Sequence, residues 1–267
     1  MKETCVSQVN NLLYSCYQQT TRGYEQFTPE HTLGYFISGE THIQSHGGTV
    51  IVKAPMLGLV RRHTLLKTVK VPPPGGEFRS VNIFFDQAFL RRYSVENKIG
   101  PVGRYTGEPM RELRFDPFLK GYFDSLLPYF NHPAPLSDTM SDIKTREAIE
   151  LLLRYEPTLK DFFFDFSEPY KIDLEAFMNQ NYMYNITSTQ FARLTGRSLA
   201  GFKRDFQQIF GQPPSQWLLK KRLTEAYYLI REKGNKPVDV YLTVGFENLS
   251  HFSYTFKKKF GIAPSML

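Results

Sequence analysis

Cysteine is almost missing from this chain of 267 residues: Cys5 and Cys16 are the only two. Two thiols without metal-ligand spacing argue against a disulfide framework or a cysteine metal site and favour a reducing cytosol. Long apolar runs are missing as well. No segment approaches the ~20 apolar residues of a membrane span, and Met1 to Thr20 lacks the basic stretch and apolar run of an export leader. Motifs for chemistry are equally scarce. Gly47-Gly48 and Gly75-Gly76 lack the spacing of a phosphate-binding loop and read as turns. Neither a nucleophile elbow nor paired carboxylates stand out. His42 and His46 stand four apart near Glu40, too far along a strand to share an ion easily, and read as surface histidines. His31 and His63 have no spacing that marks a ligand or a base. The expectation is a cytoplasmic protein with no catalytic residue, no metal site, no cofactor and no membrane partner.

Charge of one sign is present in excess, and only at one end. The formal net charge is +7. Residues 171–267 hold 14 Lys and Arg against 7 Asp and Glu, whereas the first 170 residues hold 19 of each. A basic excess confined to one region is the footprint of a phosphate-binding surface, although it would also suit an acidic membrane or an acidic protein.

The first part of the chain reads as short strands: 32–37, 49–53, 57–61, 65–71 and 81–85, rich in β-branched and aromatic residues and broken by Pro55 and Pro72-Pro-Pro-Gly-Gly76. Closely spaced short strands favour a barrel or a sandwich. Near Asp116 the period changes to that of helices, with Phe118, Tyr122, Leu126 and Leu127 in one and Ile143, Ala148, Leu151 and Leu152 in the next. The Pro-rich stretch from Asn131 to Pro135 separates them. Phe166-Ser-Glu-Pro169 reads as the junction between a domain over 1–165 and another over 166–267, and the aromatic run from Asp161 to Phe166 reads as a buried hinge between domains in preference to a partner-binding surface.

The second part is helical throughout, and it repeats itself. Phe202, Phe206 and Phe210 lead to Gly211 and Pro214-Ser215; fifty positions on, Phe252, Phe256 and Phe260 lead to Gly261 and Pro264-Ser265. Each ladder, with its Gly and Pro stop, predicts one helix of a unit used twice. Gly196 and Gly245 supply the turns of two helix-turn-helix units, and a helix opening at Pro214 joins them. In the first ladder helix Leu199, Phe202, Phe206, Ile209 and Phe210 are expected to face inward, leaving Ala200, Lys203, Arg204 and Gln207 outside. In the second, Leu249, Phe252, Phe256 and Phe260 face inward, and Ser250, His251, Ser253, Tyr254, Lys257 and Lys258 face out. Such polar and cationic side chains suit base edges and phosphates in a major groove, and the joining helix, at ~28 Å, approaches the ~34 Å between successive major grooves on one side of a duplex.

At Gly196-Arg-Ser-Leu-Ala-Gly-Phe-Lys-Arg-Asp-Phe206 and from Val244 to Ser265 the chain resembles the AraC/XylS family of bacterial transcription regulators. The resemblance runs from about Leu174 to Ser265. It implies a double-stranded DNA partner, with Ala200, Lys203 and Arg204 facing bases in the first reading helix and Ser250, His251, Ser253 and Tyr254 in the second, while Ser198 and Lys257 lie near phosphates. Two positions depart from the family pattern: Tyr241 replaces a small residue, and Ala200 is small where a bulkier reader occurs. Ile37-Ser-Gly-Glu40 and Leu59-Val-Arg-Arg62 look like the cupin-type sensor or dimerisation barrel of such proteins. The resulting expectation is an α+β chain, a cupin-like β-barrel with packed helices followed by an all-α DNA-binding domain. Contact with RNA polymerase, a small-molecule effector in the barrel and homodimerisation are left open by the resemblance. The alternative is a cupin-type metal- or ligand-binding protein with an accessory helical domain.

Overall fold

The computed structural model describes residues 5–23, 27–45, 48–114, 116–131, 136–167 and 169–267. His46, Gly47, residues 132–135 and Glu168, read above as a surface histidine, part of a turn, part of the interhelix stretch and part of the junction, lie outside the described residues. The chain divides into two compact units, 1–167 and 168–267.

The first unit carries strands β1 (Cys5–Val9), β2 (Leu12–Tyr17), β3 (Thr21–Arg22), β4 (Phe27–Thr28), β5 (His31–Ser38), β6 (Glu40–Ser45), β7 (Gly48–Lys53), β8 (Met56–Val60), β9 (Thr64–Leu65), β10 (Lys67–Val71), β11 (Phe78–Phe85) and β12 (Met110–Leu113). They pair antiparallel in a six-stranded sheet, order β1-β2-β11-β5-β8-β12, a four-stranded sheet, order β3-β10-β6-β7, and a two-stranded pair, β4-β9. Among the described residues these ladders form separate sheets and not one closed ring. Alternation fixes the faces, since residues two apart on a strand share one side. Leu33 and Tyr35 on β5, Leu57 and Leu59 on β8, and Val81, Ile83 and Phe85 on β11 all enter one core.

Helices α1 (Gln87–Glu96), α2 (Pro117–Asn131), α3 (Asp138–Tyr155) and α4 (Leu159–Phe164) supply the rest of that core through Leu90, Tyr93, Phe123, Leu126, Ile149 and Leu152. Asp86 caps α1 by accepting from the Ala88 and Phe89 N–H groups, and Ser137 caps α3 at Met140. The aromatic run predicted to be a hinge between domains belongs to this core: Phe162, Phe163 and Phe164 are fully buried. Phe162 lies 5.0 Å from the His31 ring, Phe163 lies 5.0 Å from Phe85, and Phe164 stacks on Tyr93 at 5.9 Å. Three successive rings cannot share one helix face, so α4 buries itself on several sides at once.

The second unit is α5 (Leu174–Asn181), α6 (Ser188–Leu194), α7 (Leu199–Phe210), α8 (Pro214–Arg231), α9 (Pro237–Thr243) and α10 (Leu249–Phe260), closed by a 3-10 turn at Pro264–Met266. It has two apolar cores. Leu174, Met178, Phe191, Phe202, Phe206 and Trp217 make the first; Leu223, Ala226, Ile230, Val240, Val244, Phe252 and Phe256 make the second. Helix α8 serves both, with Trp217 near its start in the first core and Leu223 onward in the second. At 18 residues it is ~27 Å long. Among the described residues no helix is long and apolar enough to cross a membrane.

Candidate nucleic-acid interface

Each core carries one helix-turn-helix head, α6-α7 and α9-α10. The first opens on a capping box, in which the Thr187 side chain accepts from Gln190 N and the Gln190 side chain accepts from Thr187 N. Its turn passes through Gly196 at φ 65°, where a Cβ would sit 2.3 Å from the Tyr170 carbonyl carbon. Ser198 caps α7, its Oγ accepting from Gly201 N at 3.1 Å, and Gly211 ends it in the left-handed conformation. Asn248 and Gly261 do the same for α10, with Asn248 Oδ1 accepting from His251 N at 2.9 Å.

The two ladders hold both helices down. Phe202 and Phe206, like Phe252 and Phe256, are fully buried, and Phe206 packs at 4.3 Å on Phe210 and 5.7 Å on Trp217. Every residue assigned to the α7 reading face, Ala200, Lys203, Arg204 and Gln207, is exposed, as is the cap Ser198. On α10, Ser250, His251, Tyr254, Lys257 and Lys258 are exposed and Ser253 is half-buried. Tyr254 is 69% exposed, a large aromatic surface with no place in the core.

Three inward assignments are corrected. Leu199, Ile209 and Leu249 are 38%, 44% and 38% exposed. The two leucines are the first residues of their helices, where the apolar stripe runs off the end of the core, and Ile209 lies at its margin. Tyr241, set against the small residue expected there, is accommodated: its ring sits half-buried at 6.4 Å from Phe252. The corresponding position in the first head is the buried Ala192.

Several working residues escaped the sequence reading. Asp205 on α7 receives Lys171 at 2.8 Å, Arg197 at 3.1 Å and Arg204 at 3.4 Å. The Lys171 and Arg197 contacts hold its carboxyl down to about 2. Arg197 also donates to the Ile172 and Thr195 carbonyls at 3.0 and 2.7 Å, closing the first turn. Lys259, beside the assigned Lys257 and Lys258, bonds the Lys220 carbonyl and Thr224 Oγ1, both at 2.9 Å, and so ties α10 to α8. Burial and the Lys220 charge lower its pKa. A lysine run in the sequence gives no sign of which member reaches back to α8.

In the first unit, His42 is half-buried and 3.2 Å from Glu40, which also meets Lys53. His31 is fully buried with Nδ1 accepting from Arg62 N at 3.4 Å, and burial pushes its pKa well below the usual value. Among the described residues no three His, Cys, Asp or Glu gather as metal ligands.

Two capped helices with exposed polar faces, each behind a helix and a tight turn and both mounted on one shared helix, define a double helix-turn-helix domain. Comparison with known proteins agrees. A family model described as a helix-turn-helix domain matches residues 191–267, and one described as the ExsA N-terminal regulatory domain matches residues 31–162. The virulence regulon transcriptional activator VirF of Yersinia enterocolitica is 32% identical over 92 residues, which is 34% of this chain and 34% of that protein. The match thus spans about a third of that relative's length. The HTH-type transcriptional regulator ExsA of Pseudomonas aeruginosa is 24% identical over 234 residues, 86% of this chain and 82% of that one. Among solved structures, ToxT from Vibrio cholerae aligns over 97% of both chains at 11% identity and a TM-score of 0.48. The chain belongs to the AraC family of transcription regulators.

Proposed function

We propose that the protein regulates transcription by sequence-specific binding to double-stranded DNA, with α7 and α10 entering adjacent major-groove segments. The observation that carries this reading is the coincidence of two exposed polar helix faces with the part of the chain that holds the whole +7 excess. Lys203 and Arg204 donate to guanine N7 and O6 in the first segment, and Ser250, His251, Ser253 and Tyr254 read the second. Ser198, Gln207, Lys257 and Lys258 flank these readers and contact phosphate or sugar, and Ala200 leaves room for a base edge. Selection of binding sites from random DNA tests the reading: two blocks about ten base pairs apart are expected, and a single block or no motif overturns it.

The first unit acts in this reading as the sensor and dimerisation domain. The Ser15 and Ser80 hydroxyls, on facing positions of β2 and β11, are buried without a hydrogen-bond partner among the described residues, as is that of Thr41. Buried hydroxyls left unsatisfied are costly, and a small effector with a polar group would relieve that cost. A ligand that binds the native state raises the melting temperature, so a metabolite screen by thermal shift tests it. RNA polymerase and a second copy of the chain are the protein partners of this reading, to be checked by transcription in vitro and by sedimentation.

A further inference from the structure

Arg222 stands in the middle of α8, on the helix edge between the side that enters the first core through Trp217 and Leu218 and the side that enters the second through Leu223, Ala226 and Ile230. Its guanidinium reaches both heads. Nε donates to the Tyr182 carbonyl at 2.8 Å and Nη2 to the Tyr184 carbonyl at 2.8 Å, while Nη1 lies 3.4 Å from Asn185 Oδ1. Those residues lie between α5 and α6, in the loop that leads into the first head. Nη1 also donates to the Gly245 carbonyl at 3.2 Å, in the turn of the second.

The approach at Gly245 is close. Its φ is 97°, and a Cβ there would lie 2.6 Å from the Met183 carbonyl oxygen and 2.9 Å from Arg222 Nε. The turn of the second head therefore rests directly on the loop of the first, with the arginine as the third member of the joint. Burial lowers the Arg222 pKa to about 10, so the group stays charged near neutrality, its desolvation offset by main-chain carbonyls. A planar fork holds several carbonyls at fixed angles, which a lysine ammonium on a flexible stem does not.

We propose that Arg222 is the positioning residue that sets the spacing between the two reading helices, and with it the spacing of DNA blocks that the protein accepts. This rests on the two-head reading above. Adding one base pair between blocks moves the second by ~3.4 Å and turns it by ~35°. A rigid joint penalises that shift, whereas a loosened joint follows it.

The test uses the full chain and synthetic duplexes carrying the two selected blocks at their selected spacing and with one base pair added or removed. Wild type is expected to bind the altered duplexes ~tenfold more weakly or worse. Arg222→Lys is expected to bind the selected spacing less tightly and to lose most of that discrimination, with its salt dependence unchanged. A general loss of stability would weaken all three duplexes alike. An Arg222→Lys protein that keeps the wild-type ratio overturns the proposal. If selection returns two blocks and wild type is indifferent to their spacing, the joint is refuted while the two-head reading stands; if selection returns no second block, that reading falls and the proposal with it. A measurement independent of the variant's folding is the distance between spin labels at Thr189→Cys and Val238→Cys, exposed and equivalent positions of the two heads, with Cys5 and Cys16 replaced by serine. One narrow distance in otherwise wild-type protein supports a rigid joint, and a broad distribution overturns it.

Discussion

The two heads share a skeleton and differ in what fastens it. In the first, charge holds the turn: Arg197 and Lys171 converge on Asp205. In the second, aromatic rings pack around a turn that Arg222 also tethers at the Gly245 carbonyl. Phe246, in the turn, lies 5.2 Å from Phe252 and 5.7 Å from His251, and the Tyr241 ring lies 6.4 Å from Phe252. The position equivalent to Asp205 is Thr255, whose hydroxyl donates to the His251 carbonyl at 2.7 Å. The reading faces differ in the same sense. Lys203 and Arg204 make the first cationic, whereas the second presents neutral polar groups and keeps its cations for the last turn, Lys257, Lys258 and Lys259. A buried phenylalanine ladder specifies the helix; the residues around it are free to choose chemistry.

The comparison can be broken most forcefully at the ladders themselves. Phe206→Ala and Phe256→Ala each remove a fully buried ring and are expected to cost ~3–5 kcal/mol, measured by denaturant unfolding. Each should erase the footprint over its own block first. If either substitution costs under ~1 kcal/mol, the ladder is not the framework of that head. Smaller effects separate the faces. Arg204→Ala is expected to lose ~1–3 kcal/mol and to relax preference at one base position, while Lys257→Ala weakens all sequences alike and lowers the salt slope by ~1. Binding titrations over a salt series and a panel of single-base changes distinguish the two; equal losses on every sequence for Arg204→Ala would make it a phosphate contact.

The smallest effect concerns pH, and it belongs to one head only. The Asp205 pKa falls from 3.8 to about 2 on folding. A depressed carboxyl stabilises the fold above its unfolded value, so this contribution is complete above about pH 4 and is lost as pH falls toward 2. Asp205→Asn should lower stability at neutral pH, and the gap from wild type should close across that window. A gap that persists unchanged at pH 2 would mean that the carboxylate charge is not what holds the first turn.

These contrasts were unevenly legible in the sequence. The ladders, the Gly stops and the exposed faces of α7 and α10 could be read from periodicity, because a helix repeats its burial every three to four residues. The margins could not: Leu199, Ile209 and Leu249 obey the period and still lie partly outside, since the core ends before the helix does. The β1-β2 hairpin was missed because Gln8, Asn10 and Asn11 dilute its apolar residues, and β6 because its sequence is mostly polar. Asp205 and Arg222 were illegible for another reason. Their partners lie 34 and 23 residues away at Lys171 and Gly245, and local pattern carries no information about pairs brought together only by tertiary folding.

The turns have one more consequence. Four residues separate α6 from α7, and five separate α9 from α10, while both reading helices are twelve residues long between an N-cap and a left-handed glycine. For an engineer this marks the seams. The twelve-residue cassettes Leu199–Phe210 and Leu249–Phe260 can be exchanged without altering chain length, whereas moving a turn along with its helix shifts everything downstream by one residue. Reprogramming such a protein toward a new promoter therefore calls for grafting the outward-facing positions alone and leaving each elbow where it was made.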